Sequence, residues 1–325
     1  MKLLVTGGAG YIGSVVTSQL LEEEHEVVVF DDLSKGHEQA VPDGAGFVRG
    51  DLLDREQISA ALSEGFDGVL HFAALSLVGE SVEEPENYYR NNVCGTLNLL
   101  ESMVDHGASR LVFSSTAAVY GEPEEVPITE TDATLPTNPY GGSKLAVDRM
   151  IGAVAEARGL AATSLRYFNV AGARDGFGED HEPETHLIPL VLRAASGEWD
   201  HVDIYGTDYD TRDGSAIRDY IHVEDLGRAH LLALDAADKG EHRIYNLGNG
   251  EGFSVRQVIE AAREVTGADI EAVEAPRRAG DPPVLVASSE KIRRELGWEP
   301  EKPGLATMIS DAWEWKQQHP LGYGS

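Results

Sequence analysis

The stretch TGGAGYIG, residues 6–13, joins a short apolar run to a segment whose helical periodicity starts at Tyr11. This order predicts a β-strand, a tight turn and an α-helix. Gly8, Gly10 and Gly13 have the spacing G-x-G-x-x-G, which permits a sharp turn, a close approach of backbone to a pyrophosphate, and tight packing of helix on strand. The pattern indicates a phosphate-binding loop at the N-terminus of a helix.

A second apolar run, residues 26–30, ends in Asp31. At this distance from the glycines, an acidic side chain accepts the ribose hydroxyls of an adenosine. Its charge repels a 2′-phosphate, so the sequence favours NAD over NADP, although Lys35 and His37 lie close by in the chain. Glycines between a strand and a helix can serve the turn alone, but the two features together predict NAD binding.

Composition limits the classes of partner. The chain has 325 residues, 42% of them hydrophobic, which is enough for a packed core. It has 56 acidic and 26 basic residues, and its net charge of −30 repels nucleic acid and anionic membranes. Dispersed acidity with only seven lysines is typical of proteins from salt-loving microbes. An ordinary acidic cytosolic enzyme is the alternative.

Targeting and redox features predict a cytoplasmic protein. No apolar stretch approaches the ~20 residues of a membrane span, and the first residues resemble a core strand rather than a signal segment. Cys94 is the only cysteine, which excludes an internal disulfide and a cysteine-based metal site. We therefore expect no metal, no nucleic-acid partner and no membrane partner.

Apolar runs alternate with helical stretches along the first half of the chain. This alternation predicts an α/β fold with a doubly wound parallel Rossmann sheet and ligands at the carboxyl ends of its strands. Residues 85–105 have the spacing of one long amphipathic helix, although Asn91 and Asn92 are unusually polar for its buried face. The strand candidates beyond the first two are residues 46–49, 68–72, 110–114 and 162–168.

The sequence changes character after Gly172. Residues 173–186 are rich in Gly, Asp, Glu, Pro and His, which predicts a functional or mobile loop. Short strands and helices then alternate. We predict an NAD-binding Rossmann domain over residues 1–172 and a smaller mixed α/β substrate domain over residues 173–325, with segments that return to the first domain. We expect the tail after Pro320 to be loose.

The stretch NPYGGSK, residues 138–144, predicts the start of a helix, because Asn138 is a good N-cap and Pro139 suits the first helical position. Tyr140 and Lys144 lie one turn apart on one face. A phenol titrates near ~10 in water, so a tyrosine that accepts a proton at neutral pH needs its pKa lowered by about 3, or roughly 4 kcal/mol. An adjacent ammonium, the helix N-terminus and a bound nicotinamide cation all favour the phenolate.

This spacing, together with the NAD pattern, predicts that Tyr140 is a general base and Lys144 its charged partner. A surface pair on an ordinary helix is the alternative, because Y-x-x-x-K occurs by chance in many chains. Thr116 ends a preceding strand and would offer a hydroxyl to the same substrate oxygen.

These motifs carry a resemblance. The chain resembles the extended short-chain dehydrogenase/reductase family and, within it, the UDP-glucose 4-epimerases. The resemblance covers nearly the whole length and includes motifs far from the cofactor residues. Besides residues 6–13 and 140–144, it rests on residues 78–81, 91–93, 95–96, 119–121, 166–169, 218–223, 245–248, 276–278 and 280–281.

The resemblance implies a tightly held NAD at the carboxyl edge of the sheet. The expected contacts are Gly7, Gly10, Tyr11, Ile12 and Gly13 at the pyrophosphate, Asp31 at the ribose, Asp51 and Leu52 at the adenine, and Phe72, Ala73, Ala74, Asn91, Tyr140, Lys144 and Phe168 along the remainder. Ser76 stands where many relatives carry a cofactor-touching lysine, so one phosphate contact is lost or made by a hydroxyl.

The resemblance also implies a UDP-sugar substrate. The expected contacts are Thr116 and Leu285 at the sugar, Tyr205 at the uracil, Arg218 and Arg278 at the pyrophosphate, Asp281 at the ribose, and Asn169, His186 and Leu187 elsewhere on the nucleotide. Two departures keep these contacts possible, because Thr116 replaces a serine of some members and His186 replaces an asparagine. Leu285 is intermediate between bulky aromatic and small residues, which predicts measurable activity on UDP-GlcNAc.

The implied reaction is interconversion of UDP-glucose and UDP-galactose by transient oxidation at C4, in a homodimer formed through the helices near residues 85–105 and 140–158. An epimerase of a UDP-pentose or UDP-uronate is an alternative. A nucleotide-sugar 4,6-dehydratase or a decarboxylase is disfavoured, because Ala117 and Ala118 stand where those enzymes place an acid. A non-catalytic NAD sensor would need neither Tyr140 nor Lys144.

Overall fold

The computed structural model describes residues 1–278 and 281–324. The strands are β1 Lys2–Thr6, β2 Glu26–Asp31, β3 Gly46–Arg49, β4 Gly68–His71, β5 Arg110–Ser114, β6 Ala161–Tyr167, β7 Asn169–Ala171, β8 Val202–Tyr205, β9 Ile217–Arg218, β10 Tyr220–His222, β11 His242–Leu247, β12 Phe253–Ser254, β13 Ala272–Ala275 and β14 Val284–Leu285.

The α-helices are α1 Tyr11–Glu22, α2 Arg55–Leu62, α3 Val78–Glu83, α4 Pro85–Tyr88, α5 Gly95–His106, α6 Pro139–Arg158, α7 Leu187–Ala195, α8 Val223–Asp235, α9 Val255–Thr266, α10 Glu290–Leu296 and α11 Leu305–Gln318. Short 3₁₀ turns lie at Glu38–Ala40 and Ala117–Tyr120, and a π-helical segment lies at Tyr89–Cys94. Among the described residues, none of these helices combines the length and apolarity needed to cross a membrane.

Seven strands form one parallel sheet in the order β11-β6-β5-β4-β1-β2-β3. Strand β1 lies inside the sheet, pairs with β2 on one side and β4 on the other, and has Leu3, Leu4 and Val5 fully buried. The prediction of a doubly wound parallel sheet is confirmed. The strand order reverses beside β1, so a crevice for ligands is expected at the carboxyl ends of β1 and β4.

Helices cover both faces of the sheet and produce two separate apolar cores. On one face, α1 and α8 contact each other and pack against the sheet. On the other face, α2, α5 and α6 pack against the opposite side chains of the same strands. A third core lies among α7, α9, α11 and β8, next to the small sheets of the C-terminal portion.

The C-terminal portion does not stay apart from the large sheet. Strand β11 pairs in parallel with β6 over its whole length, from His242 beside Ala162 to Leu247 beside Tyr167. Helix α8 packs on the same sheet beside α1. The chain therefore crosses between the two portions more than once, and the division at residue 172 stays a prediction.

The predicted helix over residues 85–105 is interrupted by the π-helical segment. This wider turn carries Asn91 and Asn92, the two residues that looked too polar for a buried face. Asn92 is buried, accepts the backbone N–H of Leu75 at 2.9 Å and donates to the Leu75 carbonyl at 3.0 Å. Such π-bulges occur often at functional sites. Here the bulge directs the Asn92 side-chain amide inward, and this amide holds the loop that follows β4 through Leu75.

The prediction of a loose tail after Pro320 is wrong for the part that the structure describes. Tyr323 is buried, and its backbone N–H donates to Asp180 Oδ2 at 2.9 Å. Its hydroxyl accepts the N–H of Gly178 at 3.0 Å, and its ring packs near Trp315. Burial of one aromatic ring close to the end of the chain outweighs the entropy that favours a free terminus.

The turn after β1 yields a stability prediction. Gly7 has a φ of +73°, and a Cβ there would lie 2.5 Å from the backbone nitrogen of Ala73. Gly10 has a φ of −89°, and its Cβ would meet only the Gly7 oxygen at 3.4 Å. Gly7→Ala should therefore lower the free energy of unfolding in urea by about 2–4 kcal/mol. Gly10→Ala, the matched control, should change it by less than about 1 kcal/mol. Equal stability of the two variants would contradict this geometry.

Candidate functional site

The turn between β1 and α1 has the shape of an anion cradle. A Cβ at Gly13 would lie 2.2 Å from the Gly7 oxygen, so Gly13 is needed for tight packing of helix on strand. At Gly10 a Cβ would meet only the Gly7 oxygen, at an ordinary contact distance of 3.4 Å. Within the described residues, no side chain caps the first turn of α1, so its N–H groups are free to face a ligand. This arrangement fits a dinucleotide pyrophosphate.

Asp31 lies at the carboxyl end of β2 and is buried. Its Oδ2 accepts the N–H of Ala9 at 3.0 Å and its Oδ1 accepts the N–H of Leu33 at 2.9 Å. Burial raises the pKa of Asp31, while these two backbone donors oppose the rise. Each oxygen keeps capacity for a further donor, so the carboxylate is held rigidly and can accept a ribose diol.

The other predicted cofactor residues lie at the same edge of the sheet. Asp51 and Leu52 follow β3, residues 72–74 follow β4, and Phe168 follows β6, while Asn91 lies in the π-helical segment. These side chains are partly exposed, in contrast to the strands that precede most of them.

Tyr11 behaves differently from the other predicted cofactor residues. Its hydroxyl is buried and donates to the Gly172 carbonyl at 2.6 Å. The side chain therefore ties the start of α1 to the segment after β7. The predicted contact of Tyr11 with a pyrophosphate would therefore have to be made by its backbone N–H.

The three predicted catalytic residues come together at the start of α6. The Asn138 side chain accepts the N–H of Gly141 at 2.9 Å and so caps the helix. Lys144, one turn after Tyr140, is buried and donates to the Ser114 carbonyl at 2.9 Å. Thr116 is buried after β5, and its hydroxyl lies close enough to the half-buried Tyr140 to lower the pKa of the phenol, so hydroxyl, phenol and ammonium share one corner.

Burial dominates the electrostatics of this corner. It raises the pKa of Tyr140, and the hydrogen bond from Thr116 only partly opposes the rise. Burial also lowers the pKa of Lys144 to about 7, against the attraction of Asp148. Desolvation therefore disfavours charge on both residues, and the predicted phenolate depends on the further positive charge of the nicotinamide cation. Additional positive charge is needed, and an oxidised nicotinamide ring carries it.

Sequence reasoning missed a buried ion pair beneath Lys144. Asp148 lies one turn further along the same face of α6, and its Oδ2 accepts from Arg166 Nη2 at 2.9 Å. Both side chains are buried. Arg166 also donates to the Tyr120 hydroxyl at 2.9 Å, and Tyr120 in turn donates to Asn246 at 2.7 Å. The i, i+4, i+8 spacing from Tyr140 was the available signal in the sequence.

His71 is a second buried polar group that the sequence did not mark. Thr96 donates its hydroxyl proton to the Asn92 carbonyl, so His71 Nε2 must donate to Thr96 and Nδ1 must accept from Thr6. Burial lowers the pKa of His71 to about 3. The ring is neutral and serves to link β1, β4 and α5 below the crevice.

The predicted substrate residues form two groups in the C-terminal portion. Leu285 pairs with Arg218 in the ladder of β14 and β9, and Arg218 forms an ion pair with Asp281. The guanidinium of Arg278 lies 4.0 Å from the centre of the Tyr205 ring. Two predicted ligands of the nucleotide, Arg218 and Asp281, are thus paired with each other in this structure.

Leu285 and Phe168 link these groups to the catalytic corner, because both pack against the apolar cluster that includes Ala117 and Leu145. Asn169 donates to the Asp219 carbonyl at 3.0 Å. Asp219 is buried and accepts the backbone N–H groups of Asn249 and Ala287 at 2.7 and 3.0 Å. This carboxylate fixes the loops behind the predicted nucleotide contacts.

His186 does not join either group through its ring. It precedes Leu187 at the start of α7, and its Nδ1 lies 2.7 Å from Glu179 Oε1. The predicted contact of this residue with a nucleotide would have to come from its backbone.

Comparison with known proteins identifies the family of this chain. The model of the NAD dependent epimerase/dehydratase family matches residues 3–248. The chain belongs to this family. It is 57% identical over 314 residues to the UDP-glucose 4-epimerase of Corynebacterium glutamicum, covering 96% of this chain and 95% of that protein.

Solved structures extend the similarity to the C-terminal portion. A crystal structure of a UDP-glucose 4-epimerase matches with a TM-score of 0.97 and 49% identity, covering 100% of both chains. The Bifidobacterium longum UDP-glucose 4-epimerase in complex with NAD⁺ and UDP matches with a TM-score of 0.94 and 39% identity, covering 99% of this chain and 100% of that one. The family resemblance seen in the sequence is confirmed.

The buried ion pair of this family member generates a prediction. Asp148→Asn would leave the Arg166 guanidinium buried without a countercharge. The free energy of unfolding in urea should fall by about 3 kcal/mol. Asp105→Asn is the matched control, because Asp105 pairs with Arg55 at 3.0 Å with 56% and 52% of the two side chains exposed. That change should cost less than about 1 kcal/mol. Similar losses in both variants would refute a special role for the buried pair.

Proposed function

We propose that this protein is a UDP-glucose 4-epimerase that interconverts UDP-glucose and UDP-galactose with NAD as its resident cofactor. The observation that carries the proposal is the group formed by the buried Lys144 and Thr116 and the half-buried Tyr140 beside a dinucleotide cradle. The similarity over the full chain to enzymes of that name supports it. The UDP-pentose, UDP-uronate and dehydratase alternatives have no comparable support.

The residues proposed to hold NAD are those at the carboxyl edge of the sheet. The glycine turn and the N-terminus of α1 would bind the pyrophosphate, and Asp31 would bind the adenosine ribose. The remaining contacts are Asp51, Leu52, Phe72, Ala73, Ala74, Asn91, Lys144 and Phe168. When bound, the oxidised cofactor would supply hydride exchange with C4 of the hexose.

In this proposal Tyr140 moves the proton. Its phenolate oxygen takes the proton of the sugar 4-hydroxyl and later gives it back, so no net redox change occurs. Thr116 holds the same sugar oxygen through its hydroxyl. The Lys144 ammonium stabilises the phenolate, and the carboxylate of Asp148 opposes the loss of charge from Lys144. Burial of these groups strengthens each interaction by excluding water.

Epimerisation requires that the sugar turn over while the nucleotide stays bound. We therefore place the binding energy on the UDP portion, with Asn169, Leu187 and the backbone of His186 near the nucleotide. Arg218 and Arg278 are suited to a pyrophosphate, Tyr205 to stacking on uracil and Asp281 to a ribose hydroxyl. Arg218 and Asp281 would exchange their mutual ion pair for contacts with the substrate.

A dehydratase reaction is disfavoured by the segment that follows Thr116. Ala117 is buried and Ala118 donates its N–H to the Thr116 hydroxyl at 3.1 Å. Two alanines cannot protonate a departing sugar hydroxyl, so the corner holds no acid for elimination at this position.

The proposed base gives a direct kinetic prediction. Tyr140→Phe removes the proton acceptor and keeps the ring, so kcat for interconversion should fall by about 10²–10⁴-fold. Retained NAD, extracted after denaturation, should be unchanged. Tyr89→Phe is the matched control, because Tyr89 is 45% exposed, and its turnover should stay near that of the wild type. Undiminished turnover by Tyr140→Phe would end the proposal, and loss of NAD would assign the residue to cofactor binding.

Substrate breadth depends in our proposal on Leu285, which packs beside the catalytic corner. The wild type should act measurably on UDP-GlcNAc. Leu285→Ala should raise kcat/KM for UDP-GlcNAc relative to UDP-glucose by about 10-fold, because it removes bulk that would meet the N-acetyl group. Leu285→Tyr should abolish the activity on the N-acetylated sugar and keep that on UDP-glucose. Equal failure of the wild type and Leu285→Ala on UDP-GlcNAc would defeat this assignment.

We also propose a salt-adapted cytoplasmic homodimer built on the face of α5. Leu97 and Val104, two turns apart, are 42% and 40% exposed and support an apolar contact. Sedimentation velocity should give twice the chain mass of 35.1 kDa. The fraction of dimer should be higher in molar KCl, because the salt screens the net charge of −30. Leu97→Asp should give monomers, with Leu53→Asp as the matched control at another exposed leucine. A monomeric wild type at every salt concentration would contradict this proposal.

A further inference from the structure

Four side chains of the loop before α7 converge outside the catalytic corner. Glu179, His181, Glu184 and His186 each offer one ligand atom, and these four atoms all lie within 4.8 Å of one another. Glu179 and Glu184 keep only 9% and 1% of their side chains exposed. Two imidazoles and two carboxylates are a common donor set for a transition metal.

The spacing of the donor atoms fits a small coordination sphere. His181 Nδ1 lies 3.1 Å from Glu179 Oε1 and 3.9 Å from Glu184 Oε2. His186 Nδ1 lies 2.7 Å from Glu179 Oε1 and 3.3 Å from Glu184 Oε1. A tetrahedral ion with bonds of about 2.0–2.2 Å places its ligand atoms roughly 3.3–3.6 Å apart. The observed separations bracket this value.

The two histidine nitrogens distinguish a metal site from a pair of ion pairs. A protonated imidazole would direct its Nδ1–H at a carboxylate oxygen along the ring plane. His181 Nδ1 and His186 Nδ1 are both buried, yet neither forms a hydrogen bond of acceptable geometry with any described residue. Both Nδ1 atoms nevertheless lie close to Glu179 Oε1. Such short contacts without hydrogen bonds are expected if the nitrogen lone pairs point to one shared metal position.

A second cluster of possible ligands differs, because a lysine of the chain already supplies its positive charge. His222, Glu224 and Asp311 also offer convergent ligand atoms. There the Lys302 ammonium donates to Glu224 at 2.7 Å and to Asp311 at 2.8 Å, so the negative charge is already balanced. Within residues 1–278 and 281–324, neither Glu179 nor Glu184 pairs with a lysine or an arginine.

The backbone holds one ligand in place. Glu184 Oε1 accepts the N–H groups of Thr185 and His186, both at 2.7 Å. Hydrogen bonds of this kind orient a ligating carboxylate before the ion arrives. A cavity of about 330 Å³ borders Glu179 and Glu184 and offers a route of entry.

We propose that Glu179, His181, Glu184 and His186 form a structural site for one divalent transition metal, with Zn²⁺ as the ion that fits. The ion would join the loop to the first residues of α7, which follow His186 directly. Our expectation of no metal rested on the single cysteine, and a histidine and glutamate site does not depend on cysteine. The site is separate from the Tyr140 corner and does not rest on the proposed activity.

The test uses the full-length protein with its retained cofactor, stripped with a chelator and dialysed against buffered Zn²⁺. Bound zinc, measured by inductively coupled plasma mass spectrometry, should reach one ion per chain. His181→Gln should weaken the affinity by about 100-fold. His201→Gln is the matched control, because His201 faces a single carboxylate, Asp203, at 3.5 Å, and it should bind zinc as the wild type does.

Zinc-edge X-ray absorption of the loaded wild type gives a second measurement that does not depend on a variant. It should show only nitrogen and oxygen neighbours, with two imidazoles per zinc. A wild type that takes up no zinc overturns the proposal and leaves the cluster as two ion pairs. Zinc uptake that is equal in the wild type and His181→Gln, or an absorption spectrum without imidazole scattering, overturns it as well.

Discussion

The constraint on which the site depends is the desolvation of a buried ammonium and a half-buried phenol on one face of a single helix. Lys144 is held under the sheet edge by the Ser114 carbonyl and lies 4.7 Å from the centre of the Phe113 ring. Water that would solvate its charge is excluded, and its pKa falls to about 7 for that reason. The charge of Asp148 opposes this fall, and Asp148 is itself paired with Arg166.

The parallel sheet makes this arrangement possible. All strands of the large sheet point their carboxyl ends at one edge, so the glycine turn, Asp31 and the start of α6 meet there although they are far apart in sequence. Strand β11 then carries the chain back to the same sheet, and the Asp219 carboxylate ties the loops that follow it to β9. The carboxyl edge of the sheet and the C-terminal portion are thereby held together.

The elements with strong local signals were predictable. The glycine turn, the alternation of apolar runs and the Asn138–Pro139 cap produce β1, α1, β5 and α6 near their predicted bounds, because backbone sterics and burial of a single face decide them locally. Tyr140 and Lys144 followed from their helical spacing together with the NAD-binding pattern. The family resemblance, confirmed by the comparisons, supplied the remaining candidate residues.

The features that escaped prediction depend on distant partners. Strands of two or three residues such as β9, β12 and β14 have no periodicity to read and exist only through pairing. The π-helical turn at Asn92 is stabilised by Leu75 and Ser143, and the docked Tyr323 by Asp180. The rise in the Tyr140 pKa that burial causes could not be read from the sequence, because desolvation depends on the whole fold around the residue.

The central claim is that burial holds Tyr140 neutral until a cofactor's positive charge lies beside it. The most direct measurement is an ultraviolet difference titration of the tyrosinate, wild type minus Tyr140→Phe, with the cofactor oxidised and then reduced in place. The account predicts a clearly lower Tyr140 pKa with NAD⁺ than with NADH, which lacks the ring charge. The same pKa in both states would contradict it.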